Sequence, residues 1–142
     1  MNGSRKLLML LMALGVIFAF YSKADSNDRL GSNQFKDPRD GRVYKTVQIG
    51  DQVWMAENLR ATKYKDGTPI PRVISSSRWE ALENTQGGAY CAYEGADSNA
   101  QKYGYLYNWY AVNDSRGLAP EGWHVPTDEE WKQLEMTLGM SQ

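Results

Sequence analysis

Between Gly122 and Trp131 the chain reads GWHVPTDEEW, and this segment constrains the fold more tightly than any other. Thr127-x-x-Glu130 is a capping box: the threonine oxygen can accept from the Glu130 amide while the Glu130 carboxylate reaches back to the amide of Thr127. Pro126 and Trp131 take the two positions of a hydrophobic staple, and Asp128 and Glu129 sit where acids favour the positive end of a helix dipole. Trp131, Leu134 and Leu138 then recur at i, i+3 and i+7 as one apolar stripe, which Gly139 is placed to end. A helix must start here, and its acids already have structural work. His124, the only histidine, precedes Pro126 on chain pushed towards extended conformations. It could join Asp128 or Glu129 around a metal, but there is no second His, no nearby Cys and no H-E-x-x-H spacing. No serine has a nucleophile context such as G-x-S-x-G. The sequence therefore assigns no catalytic, cofactor-binding or metal residue, and its ligand-binding residues stay unknown.

The N-terminus has a different character. Arg5 and Lys6 precede the uncharged apolar run Leu7 to Tyr21, whose length is that of a signal-peptide core and short of a membrane span. Ser22 and Ala24 supply the small residues of a cleavage site, so residues 1–24 are read as a signal peptide cleaved after Ala24. The alternative is an uncleaved anchor, which leaves the membrane touched only through this segment. A lipid anchor on a cysteine is excluded at that point, because the only cysteine is Cys91. The expected location is exported: periplasmic, cell-surface or secreted. Cleavage removes Arg5, Lys6 and Lys23 and no acid, leaving 13 basic against 17 acidic side chains, a net charge of −4. That balance lacks the basic stripe that nucleic acid needs, so no nucleic-acid partner is expected. The odd count of one cysteine in an exported chain points to a free thiol, an intermolecular bond or a missing partner.

Residues 25–40, polar but for Leu30 and Phe35, read as a linker, and the domain is placed at 41–142. From Arg42 to Ile49 apolar and polar residues alternate, with Val43, Val47 and Ile49 on one face. Gly50-Asp51 turns the chain and Gln52 to Met55 returns it, which predicts a β-hairpin. Asp66 to Pro71 carries two prolines and reads as a turn with extended chain. Ser75 to Ser77 can cap a short helix through Glu83, closed by Gly87-Gly88, and Ala89 to Tyr93 is a candidate strand. Leu106 to Val112 is ambiguous, with a short helix favoured because Asn113 to Gly117 follows it with turn residues. Aromatic platforms can stack on sugars, but Trp54, Trp79, Trp109, Trp123 and Trp131 are read as core, since large aromatics bury much surface in a small domain.

Three blocks resemble a known family: DGRVYKTVQIGDQVWMAENLR (Asp40 to Arg60) with YKDGTPIP, then GAYCAYE through YGYLYNWYAV (Gly88 to Val112), then APEGWHVPTDEEW (Ala119 to Trp131). They are similar to the Fibrobacter succinogenes major paralogous domain, found in exported and surface proteins of Bacteroidetes and Fibrobacteres, across about residues 38–140. The resemblance implies an α+β fold akin to C-type lectin-like domains and to formylglycine-generating enzymes. On that reading the chain is the N-terminal part of the fold, a short β-hairpin plus small helices, with the C-terminal strands missing. It further implies that the long ligand loop of lectins and the later catalytic cysteines of the enzymes lie beyond Gln142, and that Cys91 has lost a partner with them.

Fold does not transfer activity. The leading expectation is an exported, non-enzymatic binding or structural module, without cofactor, whose partner is an extracellular protein or a carbohydrate. One alternative is a catalytic domain like formylglycine-generating enzymes without its C-terminal active-site part. The other is a truncated fragment with no function of its own, left with an unpaired sheet edge.

Overall fold

The computed structural model describes residues 19–20 and 33–140. The expected signal peptide, its cleavage site and residues 25–32 of the expected linker lie outside them, apart from the backbone of a two-residue strand at Ala19–Phe20. Among the described residues no helix is long and apolar enough to cross a membrane. The class is α+β. In order the elements are β1 (Ala19–Phe20), β2 (Gln34–Lys36), β3 (Val43–Ile49), β4 (Gln52–Met55), α1 (Ser76–Thr85), β5 (Tyr90–Ala92), a 3-10 turn (Tyr93–Gly95), α2 (Asp97–Tyr103), β6 (Tyr105–Tyr107), α3 (Trp109–Val112) and α4 (Asp128–Thr137). The described residues divide into two compact units, one formed by 58–118 and one by 19–20, 33–57 and 119–140.

The second of these units is an antiparallel sheet of order β1-β4-β3-β2. The expected hairpin forms β3 and β4, with Thr46 opposite Met55 and Ile49 opposite Gln52 around the turn at Gly50, where φ is +60°. Both of its sides bury residues, but the valines that hydropathy marks are not what is buried on theirs. Val43 and Val47 remain about two-fifths exposed while Tyr44 is fully enclosed. Register explains this: Tyr44 lies opposite Phe35, and Phe35 packs at 4.7 Å on Trp123, so this face has aromatic cover. The linker reading is corrected over the same stretch. Residues 34–36 form β2, Phe35 is buried, and Asp37 is fully enclosed with the Arg39 guanidinium on its carboxylate at 2.7 Å. Their polar composition hid a strand because the one apolar side chain in β2 is all that a three-residue edge strand needs to bury.

On the opposite face, Trp54 packs against Trp131 of α4, ring centroids 4.9 Å apart. Such a contact contributes about 0.5–1.5 kcal/mol beyond the area it buries. Gln52, itself buried, accepts from the Trp54 indole at 3.3 Å and donates to the Glu130 carbonyl at 3.3 Å. One glutamine thus satisfies a buried indole and holds the first turn of α4 to the sheet.

The Asn58–Leu118 unit is organised by β5 and β6, antiparallel with Cys91 opposite Leu106. Lys63 and Pro69 form an isolated bridge across the turn at Gly67, as the prolines lead one to expect. Ser75 caps α1 by accepting from the Arg78 amide, and the helix ends at Gln86 in the left-handed conformation. The ambiguous stretch before Val112 divides: Tyr105–Tyr107 is strand and Trp109–Val112 a single helical turn. Asn108 makes the division. Its side-chain oxygen accepts from the amides of Ala89 and Ala111, both at 3.0 Å, and its amide donates to the Gly87 carbonyl at 2.7 Å.

The core of this unit includes Tyr64, Tyr107, Leu59 and Leu118. Tyr107 donates to the Ala61 carbonyl at 2.8 Å. The Tyr64 hydroxyl is enclosed without a partner of hydrogen-bond geometry, although burial first, and then the Asp114 carboxylate, raise its pKa. It lies over Gly88, where a Cβ would overlap it and stand 3.1 Å from the Ala111 Cα. Gly88→Ala is expected to cost roughly 1–3 kcal/mol by overpacking. Tyr64→Phe removes an enclosed hydroxyl that has no bond to lose, so it should be near neutral alone and restore part of the Gly88→Ala loss. Denaturant unfolding of the two single variants and the double variant measures this coupling.

Candidate functional site

The opening segment folds as a helix start. Thr127 Oγ1 accepts from the Glu130 amide at 3.3 Å, and Glu130 Oε2 accepts from the Thr127 amide at 2.8 Å, completing the capping box. The other carboxylate oxygen, Oε1, lies 2.7 Å from His124 Nε2. The structure therefore brings His124 to Glu130, the capping acid, rather than to Asp128 or Glu129, which are exposed. Burial alone raises the Glu130 pKa, but the Thr127 amide and then His124 outweigh it, and the net shift is downward. Among the described residues no group of three or more His, Cys, Asp or Glu could hold a metal ion. This constellation joins an extended segment to a helix.

A second polar cluster lies in the Asn58–Leu118 unit. Arg116 donates to both oxygens of Asp114, at 2.8 and 2.7 Å, and to Thr68 Oγ1 at 3.2 Å, while its guanidinium lies 4.0 Å from the centre of the Tyr64 ring. The Arg116 bonds hold the Asp114 carboxyl at about 2. These bonds fasten the loop at residues 114–117 over Tyr64. Cys91, half-buried on β5, has its thiol pKa raised by burial, the opposite of what a nucleophilic thiolate requires.

What remains is an exposed aromatic surface that the sequence reading missed. Of the five tryptophans taken as core, Trp54 is buried, and Trp79, Trp123 and Trp131 are partly covered. Trp109 is 46% exposed. More telling is the segment from β5 to α2. Tyr93 and Tyr103 are about half exposed, and their rings meet edge to face, centroids 6.1 Å apart and planes at 75°. Ile74, 59% exposed, lies against the turn that follows Tyr93, so close to Gly95 that a Cβ there would stand 2.6 Å from its methyl group.

The backbone beneath these rings is held firmly. Asn99 donates to the Tyr93 carbonyl at 3.0 Å, and Asn58 donates to the Tyr103 carbonyl at 2.8 Å. Asn58 belongs to the WMAENL block, so one role of that motif is to fix Tyr103. Arg72 donates to the Gly95 carbonyl at 3.3 Å and to Asp97 at 2.6 Å, fastening the turn. Glu94 and Gly95 both adopt positive φ, at 55° and 70°, which is uncommon for glutamate and reverses the chain between the strand and α2. Sequence periodicity could not reveal this corner, because its residues come from a bridge, a turn and a seven-residue helix with no apolar repeat. Large exposed apolar groups gathered at one place mark interaction surfaces more often than scattered ones do.

Two outcomes follow for the helix start. Thr127→Ala should cost about 1 kcal/mol, the usual value of a side-chain cap, read by chemical denaturation. Because the folded Glu130 pKa is depressed, its contribution is present above the ordinary glutamate pKa of 4.5 and lost as pH falls through the folded value. Glu130→Gln should therefore flatten the loss of stability below pH 4.5; an unchanged acid limb would contradict this.

Comparison with curated proteins and with solved structures finds no match. Comparison with protein families does. The profile of the Fibrobacter succinogenes major domain matches residues 47–142, which takes in the β3–β4 hairpin from Val47, the aromatic corner and the capped helix. The match spans more than half of the chain, and the protein belongs to the Fibrobacter succinogenes major domain family.

Proposed function

We propose that the protein is an exported binding module of lectin-like ancestry that uses its exposed aromatic corner to hold an extracellular protein or carbohydrate, without catalysing a reaction. The observation that carries this reading is the gathering of Ile74, Tyr93 and Tyr103 on backbone pinned by Asn58 and Asn99. A surface that only faced solvent would gain nothing from holding two half-exposed rings in one geometry, whereas a binding surface gains affinity when its groups are ordered before the ligand arrives. The apolar run from Leu7 to Tyr21, with the small residues before Asp25, supports export.

Two measurements test this. Protease treatment of intact cells should degrade the protein, and purified protein should adhere to isolated cell-envelope or extracellular material. Recovery only in the cytoplasmic fraction would overturn export, and no adherence to any such material would overturn binding.

A further inference from the structure

The geometry points to the corner between Tyr93 and Tyr103 as a site for a neutral saccharide, a ligand class that rests on the binding-module reading above. Two rings at 75°, centroids 6.1 Å apart, make a notch in which one ring offers a face and the other an edge. A flat ligand with an apolar side can lie on such a face. The face of an aromatic ring is electron-rich and attracts polarised C–H groups, which a pyranose ring presents along one side. Ile74 extends the apolar floor beside Gly95.

Charged groups lie on, or are bonded to, the turn and helix that carry the two rings. Arg72 and Asp97 are paired at 2.6 Å, with Arg72 about one-third exposed and Asp97 about three-quarters exposed at the side chain. The Glu94 carboxylate is exposed on the reversed turn, and the Lys102 ammonium lies 4.9 Å from the centre of the Tyr103 ring. This part of the chain therefore carries two charges of each sign close in sequence or by hydrogen bond to the aromatics. An anionic ligand would meet Glu94 and Asp97, and a cationic one would meet Arg72 and Lys102. A neutral ligand rich in hydroxyls can use Arg72, Asp97 and Glu94 as hydrogen-bond partners while its ring stacks on a face that the Lys102 ammonium, which lies over the Tyr103 ring, does not cover. Docking proteins are met instead by surfaces whose centre is depleted of charge, and here the charges stand beside the rings.

The test is a glycan array of neutral and acidic oligosaccharides probed with the full-length protein, followed by titration of the best neutral binder by calorimetry. The expected result is saturable binding to neutral glycans. Tyr93→Ala and Tyr103→Ala should each weaken it about tenfold, while Tyr93→Phe and Tyr103→Phe hold it within about threefold. Both rings are half exposed and touch each other, so the alanine variants should unfold a few degrees below the parent yet remain fully folded at the assay temperature, and the phenylalanine variants should match the parent, which separates loss of binding from loss of fold. Absence of any neutral glycan on the array, or binding indifferent to the alanine variants, would overturn the inference. Adherence to envelope material supplies the second arm. If adherence persists, falls with Tyr103→Ala and resists competition by neutral glycans, the saccharide is wrong and the module stands with a protein partner. If adherence fails as well, both readings fall.

Discussion

Buried tyrosine and tryptophan impose a constraint on this protein that a core of leucine and valine would not. Trp54, Tyr44, Tyr64 and Tyr107 are among its largest fully enclosed side chains, and each brings a polar atom out of water. Leaving such an atom unpaired costs on the order of 1–3 kcal/mol. Local architecture follows from meeting that cost. Gln52 stands on β4 where it can take the Trp54 indole proton and pass its own amide to the first turn of α4. Tyr107 reaches the Ala61 carbonyl and ties β6 to the segment after the WMAENL block. Tyr64 shows the constraint from the other side: its hydroxyl is accommodated by the absence of a side chain at Gly88 rather than by a bond.

The same economy explains why the apparent acid and histidine cluster is scaffold. Glu130 serves the Thr127 amide with one oxygen and His124 with the other, so the residue that begins α4 also orients the chain entering it. The neighbouring Asp128 and Glu129 add their charge to the first turn of the helix. In the other unit Arg116 and Asp114 play a comparable part, closing a loop over Tyr64. Polar side chains of the kind that chemistry uses are committed here to holding backbone, and among the described residues the most exposed rings are those of Tyr93, Tyr103 and Trp109.

Local rules made much of this visible before any coordinates. The capping box names its own atoms, Gly50-Asp51 marks a hairpin, and Ser75 marks the start of α1. Where the outcome depended on a partner distant in sequence, it was hidden. Tyr44 is buried and Val43 exposed because Phe35 and Trp123 cover one side of β3, and no alternation pattern encodes that choice. β2 was concealed in polar chain because a short edge strand needs only Phe35 to bury. Asn108 divides a strand from a helical turn through bonds to residues some twenty positions earlier. The aromatic corner was hidden most deeply, since its rings are separated by α2 and fixed by Asn58 from another block.

The central claim is that Tyr93 and Tyr103 are held outward to meet a ligand while the other large rings hold the fold. Aromatic carbon–proton NMR spectra of the protein, recorded as the best neutral glycan is added, address it directly. The account predicts that the ring signals of Tyr93 and Tyr103 move with saturation while those of Trp54, Tyr64 and Tyr107 stay in place. Ring signals of Tyr93 and Tyr103 that remain fixed while the protein binds would contradict it.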